Sequence, residues 1–361
     1  MSTILFTGFP GFLGSALLPV VAERRPGSQV VCLVQARYRR KAEARVNEIL
    51  AGRSHLTGRI RLVESDIVQA DLGLESGGFR REVREIYHLA ALYDLAADRD
   101  PAFRINVEGT RSLLRLAHAC PALRRFHYLS TCYVSGRYRG TFSEADLDVG
   151  QAFHNAYEET KFLAEVEVQA HMREGLPATI YRPSVVAGDS ATGSTQKYDG
   201  PYYLIRLLLR QPRLALVPVI GDPSQHWLNI VPRDFLVAAI GQLAGLERSA
   251  GRVYQLADPA PLLISQLFAL LGRETGRRLV PVRLPLGVAR GLLVYLPGLS
   301  SALGIPANAL DYLVHPARYD TRNARRDLEG SGLRVPPFSE YAGHLVRFVR
   351  EHPEISAEAM A

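Results

Sequence analysis

Hydrophobic positions come in short runs separated by longer segments in which apolar residues recur every three or four places. Residues 3–6 (Thr-Ile-Leu-Phe) are apolar and β-type, residues 7–14 read TGFPGFLG, and residues 12–22 form an apolar helical stretch. Further strands are predicted at 29–34, 60–63, 85–89 and 126–129, and helices at 40–51, 101–119 and 152–173. Strands alternating with helices predict parallel β-α-β units. The alternation fades after about Arg182, where proline, leucine and irregular segments take over.

This pattern predicts an α/β fold with a doubly wound parallel sheet of Rossmann type and a smaller C-terminal substrate lobe. Residues 1–182 are expected to form the nucleotide-binding domain and 183–361 mainly the lobe, with segments at about 215–255 returning to the core. A strand, a glycine-punctuated turn and a helix form the opening of a dinucleotide site. Gly8 permits the tight turn, Gly11 lets backbone approach a pyrophosphate, and Gly14 lets the helix pack on the strand. Thr7, Phe9, Pro10, Phe12 and Leu13 complete the turn. The first N–H groups of the helix then face the phosphates, where the helix dipole favours negative charge. A glycine-rich turn without a ligand is the plain alternative, and the position directly after the first strand argues against it.

Composition narrows the class. The chain has 361 residues, 47% of them hydrophobic and 22% charged, as in ordinary soluble globular proteins. The net charge of +7 suits an anionic partner: nucleic acid, an acidic membrane surface, or a phosphorylated cofactor or substrate. No zinc-ligand spacing and no RNA-binding aromatic pattern occurs, so neither a metal nor nucleic acid is expected. Three scattered cysteines point away from a disulfide framework and toward a reducing cytoplasm. Residues 2–22 carry no charge, yet Gly8, Pro10, Gly11 and Gly14 interrupt them where the nucleotide turn needs them, so they read as fold rather than targeting signal.

The tip of the second strand selects the cofactor. An acid there binds the ribose 2′-hydroxyl of NAD, whereas arginine accommodates the 2′-phosphate of NADP. Here the sequence runs Val34-Gln35-Ala36-Arg37-Tyr38-Arg39-Arg40-Lys41, with no acid and four bases. This favours NADP(H), with Arg37 as phosphate ligand and NAD(H) as the alternative; a solvated basic helix start accounts for some of these charges. The strand ending at Leu89 continues into Ala90 and Ala91, whose small side chains leave room for ribose and diphosphate. His88 reads as a packed core histidine.

Ser130-Thr131-Cys132-Tyr133-Val134-Ser135-Gly136 sits at a strand's carboxyl end, where open α/β sheets place ligands. Tyr157 and Lys161 follow, four residues apart and so on one helix face. A free tyrosine has a pKa near 10, too high for easy acid–base work at neutral pH. A neighbouring ammonium favours the phenolate and brings that pKa down. Thr131 would hydrogen-bond the substrate oxygen as charge develops on it. Tyr-x-x-x-Lys alone is a weak signal. Its conjunction with the glycine turn, the Ala-Ala strand end and the Ser-Thr strand end, in order, is strong.

The glycine spacing and the Thr131, Tyr157, Lys161 group resemble the short-chain dehydrogenase/reductase superfamily. More closely, the chain is similar to its extended members in the fatty acyl reductase and thioester reductase (male-sterility-type) branch. Leu129-Ser130-Thr131-Cys132-Tyr133-Val134, residues 181–189 (YRPSVVAGD) and residues 229–235 (NIVPRDF) carry that likeness, which covers residues 1 to about 245. The resemblance implies that Thr131, Tyr157 and Lys161 are catalytic, with Tyr157 and Lys161 also touching the cofactor. It further implies that Asp66 and Ile67 border the adenine, that Asn106 supports the active-site backbone and cofactor, and that Pro183, Ser184, Val185 and Val186 border the nicotinamide. Two features depart from the branch. Gln35 stands where an arginine is usual, and the carrier or adenylation domains often fused to such reductases are not in these residues.

The expected reaction is NADP(H)-dependent hydride transfer to the carbonyl of an apolar acyl thioester or aldehyde. Rivals are a lipid or steroid hydroxy/keto dehydrogenase with the same catalytic group, a nucleotide-sugar epimerase or dehydratase, and a non-catalytic nucleotide sensor. Residues 291–310 are uncharged and interrupted by Pro297 and Pro306. They fit a substrate lid, a peripheral membrane contact or simply lobe core. Arg206, Arg210 and Arg213 are either solvated helix charge or ligands for a phosphopantetheine or CoA phosphate. A homodimer through the helices near Pro101 and Tyr157 is a family expectation, with a monomer as the alternative.

Overall fold

The computed structural model describes residues 2–74, 78–296, 298 and 306–355. The first half runs β1 (Ser2–Thr7), α1 (Phe12–Arg24), β2 (Ser28–Val34), α2 (Arg39–Gly52), β3 (Ile60–Glu64), β4 (Val83–His88), α3 (Arg99–Phe103), α4 (Gly109–His118), β5 (Arg125–Leu129), β6 (Gly140–Phe142), α5 (Ala156–Arg173) and β7 (Ala178–Pro183). The second half runs β8 (Val185–Ala187), α6 (Pro201–Leu209), β9 (Leu214–Val219), β10 (Ile230–Pro232), α7 (Arg233–Ala244), β11 (Arg252–Leu256), α8 (Ile264–Thr275), β12 (Arg278–Arg283), α9 (Leu286–Tyr295), β13 (Ala317–Tyr319), α10 (Arg322–Leu328) and α11 (Phe338–Glu351).

Seven strands form one parallel sheet in the order β11-β7-β5-β4-β1-β2-β3. Strand order reverses beside β1, so the crevice at the carboxyl ends of β1 and β4 is the ligand position of this fold. Side chains alternate across the sheet. Ile4 and Phe6 of β1 pack with α1, α2 and α7 on one face, whereas Leu5 packs with α4 and α5 on the other. Helices α1 and α7 touch closely enough that a Cβ on Gly241 would lie 2.7 Å from Val20.

The expected single helix at 101–119 is divided. Between α3 and α4 the backbone makes a π-type turn at Arg104–Glu108, which contains Asn106. After β7 the chain leaves the sheet but comes back as β11, which pairs with β7 in parallel. Around that return stand three small parallel pairs: β8 with β10, β9 with β12, and β6 with β13. A second hydrophobic cluster joins α6, β9, α8 and α11, with Tyr202, Leu271 and Leu345 fully buried. This is the body of the lobe. Of the uncharged run at 291–310, residues 297 and 299–305 lie outside the described residues. Its described flanks differ: Val294 and Tyr295 are exposed, whereas Leu310 is buried. No helix among the described residues is long and apolar enough to cross a membrane.

Candidate active site

One cavity of about 440 Å³ runs from the glycine turn, past the ends of β4 and β5, into the lobe. It is lined by every residue of the turn from Thr7 to Gly14, by Arg37, Asp66, Ile67, Ala90 and Ala91, by Thr131, Tyr157 and Lys161, and by Pro183, Ser184, Val185 and Val186. Asn106 is the one expected site residue absent from the wall. It is buried behind it, accepting from Leu92 N at 2.7 Å and donating to the Thr160 hydroxyl at 2.9 Å. Its amide serves the backbone carrying Ala90 and Ala91 rather than a ligand directly.

The turn is built as its residues require. Gly8 has φ of +86°, a left-handed conformation that a side chain would strain. A Cβ on Gly14 would strike the Gly8 carbonyl and approach Phe9 N to 3.2 Å, so only glycine lets α1 sit this close. Gly11 is the N-cap of α1 without a side-chain hydrogen bond, and the first turn holds no acid. Those N–H groups are therefore open to an anion.

A hydrogen-bond chain locks β1 to β4 beneath the cavity. Thr110 donates to the Asn106 carbonyl at 2.6 Å, so its oxygen accepts from His88 Nε2 at 2.9 Å. His88 Nδ1 then accepts from the Thr7 hydroxyl at 2.9 Å. Thr7 Oγ1 in turn accepts from Leu89 N and Ala90 N at 3.2 and 3.1 Å. Burial, helped by the Lys161 charge, holds His88 down at about 3, so it is neutral and structural.

At the tip of β2, Gln35, Arg37, Tyr38 and Lys41 all line the cavity and no acid does. Arg37 donates to Gln35 Oε1 at 2.9 Å and lies over the Tyr38 ring. Gln35 thus orients Arg37. Asp66 accepts from Val68 N at 3.2 Å while remaining on the cavity wall.

Helix α5 brings Tyr157 and Lys161 to the same cleft. Asn155 caps it, its side chain accepting from Glu158 N at 3.0 Å. Burial raises the Tyr157 pKa, and the nearby Thr131 hydroxyl, which donates to the Pro183 carbonyl at 3.4 Å, works the other way. Tyr93 packs edge-on against the Tyr157 ring with centroids 4.9 Å apart. Burial brings Lys161 down to about 7, opposed by Glu165. Thr131 is fixed from behind: its oxygen accepts from Tyr133 N at 3.2 Å. The preceding Ser130 donates to Glu165, which forms a fully buried ion pair with Arg182 at 2.6 Å.

Several cavity residues were not singled out from sequence. Lys41 belonged to a basic run read as a whole, and Tyr133 to a quoted motif. Tyr93, Gln196, Lys197 and Asp199 lie in loops or irregular turns without periodicity to mark them, and Tyr312 lies in a 3-10 helical segment at Ala307–Val314. Lys197 pairs with Asp199 at 3.5 Å and lies over the Tyr93 ring. Burial raises the Asp199 carboxyl above the usual range. Among the described residues, one cluster could ligate a metal. It comprises His118, His171 and Glu174 on α4 and at the end of α5, none of them in the cavity. The two histidines are 53 residues apart, which no ligand spacing would reveal.

The donor set fits a nicotinamide dinucleotide. Uncapped N–H groups face the diphosphate position, and Ser184 Oγ is a buried hydroxyl without a partner on the cavity wall.

Comparisons agree. The family model described as male sterility protein, an NAD-binding domain, matches residues 6–240, and the chain belongs to that family. That match spans the glycine turn, Thr131, Tyr157 and Lys161. A linear gramicidin synthase polypeptide of Brevibacillus parabrevis is 30% identical over 71% of this chain. Carboxylic acid reductase of Mycobacterium tuberculosis is 29% identical over 71%. The chain spans only 5% and 24% of those two proteins. A crystal structure of the terminal R domain from the myxalamid PKS-NRPS biosynthetic pathway superposes with a TM-score of 0.83 at 27% identity. That match covers 99% of this chain and 92% of the other.

Proposed function

We propose that the chain is an NADP(H)-dependent reductase acting on the carbonyl of an apolar acyl thioester or aldehyde, with Tyr157 as general acid. One observation carries this reading: Thr131 and Tyr157 share a single cavity whose one end is a dinucleotide cradle and whose other end is apolar. Leu204, Leu207, Leu228, Leu267 and Phe268 line that far end, which suits an acyl chain better than a sugar nucleotide.

Bound in the cradle, the cofactor supplies the hydride. The chain's own residues do the rest. Gln35, Arg37 and Lys41 offer positive charge and donors where a 2′-phosphate would lie, which supports NADP(H). Thr131 holds the substrate oxygen, and Tyr157, kept protonated by burial, gives that oxygen its proton. With a thioester, the C–S bond then breaks to leave aldehyde and thiol; a second cycle would give the alcohol. Lys161, anchored to the end of β5, presents its remaining donor capacity to a ribose.

The test is NADPH consumption with an acyl-CoA, NADH in parallel, and products identified by mass spectrometry. Aldehyde or alcohol with a preference for NADPH is expected. Turnover of an apolar ketone or secondary alcohol but no thioester would overturn the substrate assignment.

A further inference from the structure

Behind the apolar end of the catalytic cavity lies a second one of about 410 Å³, between α8 and the β9–β12 ribbon. Its walls include Val219, Ala269, Leu279 and Pro281. Val217 and Phe268 line both cavities, so these two side chains form the partition. Strand alternation explains the arrangement. Ala215, Val217 and Val219 point inward from β9, while Leu214 and Leu216 point to solvent.

We propose that this second cavity is the subsite for the distal end of a long acyl chain, and that Phe268 and Val217 set chain-length preference at its entrance. The inference rests on the thioester reductase reading and names its substrate class. A carbonyl held between Thr131 and Tyr157 directs its acyl chain into the lobe, along Leu228 and Leu267, to that partition. A short chain ends before it. A longer one must either fold back onto itself or continue between Val217 and Phe268.

The chemistry of the second cavity suits a methylene chain. Among the described residues no carboxylate lines it, and apart from Ser265 its polar side chains are Arg273 and Arg277 at the rim. Arg277 is committed to main-chain carbonyls, donating to Gln211 O at 2.9 Å and Leu208 O at 3.2 Å, and Arg273 is paired with Glu274 at 2.9 Å. The groove is open to solvent at Ala269 and Pro281, its wall offers few polar partners, and an apolar chain laid along it gains contacts and leaves water. Gly272 belongs to the same wall. A Cβ there would come within 3.0 Å of Leu279 Cγ, so the glycine spares room between α8 and β12.

Ala269 separates this subsite from the catalytic cavity in a test, because it lines only the second cavity and its position on α8 is solvent-facing. The experiment compares wild type, Ala269→Trp and Phe268→Ala with butyryl-CoA and palmitoyl-CoA. The quantity read is the ratio of kcat/KM for the long over the short substrate, with thermal denaturation as a folding control. Ala269→Trp is expected to lower that ratio at least tenfold, and Phe268→Ala to leave it equal or raise it. A ratio unchanged in Ala269→Trp, or equal losses on both substrates in the folded variant, overturns the proposal. Binding of the matching alkyl-CoA thioethers, by calorimetry, supplies an independent reading. If wild type reduces neither thioester yet binds the long thioether more tightly, and Ala269→Trp loses that preference, the subsite stands and the reductase reading falls. If wild type reduces both but shows no chain-length effect in either assay, the subsite falls alone.

Discussion

The Lys161 ammonium donates to the Tyr128 hydroxyl at 2.9 Å and lies 4.4 Å from the centre of that ring. A second bond, to the Leu129 carbonyl at 2.7 Å, fixes the nitrogen to the end of β5. The lysine is therefore tied to the strand that carries Thr131, although it stands one turn from Tyr157 on α5. Its side chain lies on the cavity wall. In the protein alone, Thr131 is the group that counters the effect of burial on Tyr157.

This anchoring has a pH signature. Burial lowers Lys161 from its ordinary 10.5 to about 7. Between those values the unfolded chain holds a proton that the folded chain lacks, so stability contributed by this site rises with pH across the window and is flat below it. In urea denaturation from pH 7 to 9, wild type should gain stability relative to Lys161→Met, with a slope approaching ~1.4 kcal/mol per pH unit. Parallel pH profiles for the two proteins would show that the amine keeps its ordinary proton affinity.

Cofactor choice should follow the tip of β2. Removing the guanidinium in Arg37→Ala is expected to lower kcat/KM for NADPH by roughly tenfold or more, the scale of one charge-assisted contact, while sparing NADH. Equal losses with both cofactors would place the 2′-phosphate elsewhere. Gln35→Ala should show a weaker version of the same effect, because Gln35 acts by holding Arg37 at 2.9 Å.

The buried Arg182–Glu165 pair supports Thr131 through Ser130. Breaking it by Arg182→Met leaves a carboxylate in a dry interior and should cost about 3–5 kcal/mol in denaturant unfolding. The double variant Arg182→Met, Glu165→Gln should recover part of that loss. A single variant as stable as wild type would mean that the charge is solvated there.

Much of this was legible in sequence, for physical reasons that differ by element. The glycine turn could be read because Gly8 and Gly14 meet steric demands that no other residue satisfies. Strands β1 to β5 could be read because each makes a short apolar run, continuous where both faces are buried, whereas β7 (Ala178–Pro183) is not among the predicted strands. The sequence predicts a return to the core at about 215–255 but marks no strand at Arg252–Leu256, because that short strand is placed by pairing with β7, a contact remote in sequence. The π-type turn at Asn106 was equally hidden, because it leaves the helical periodicity of its neighbours nearly intact. In the site, residues carried by quoted motifs were found, whereas Tyr93, Lys197 and Asp199, which meet only through loops, were not.

The proposed reaction delivers hydride to a carbonyl carbon while Tyr157 supplies the proton. Single-turnover reaction of an acyl-CoA with NADPH deuterated at the transferring position tests it most directly. Wild type is expected to give product deuterated at the former carbonyl carbon. With Tyr157→Phe, transfer should slow by about two orders of magnitude or more, the usual weight of a general acid, while NADPH binding is kept. Product free of deuterium at that carbon, or transfer by Tyr157→Phe at the wild-type rate, would contradict it.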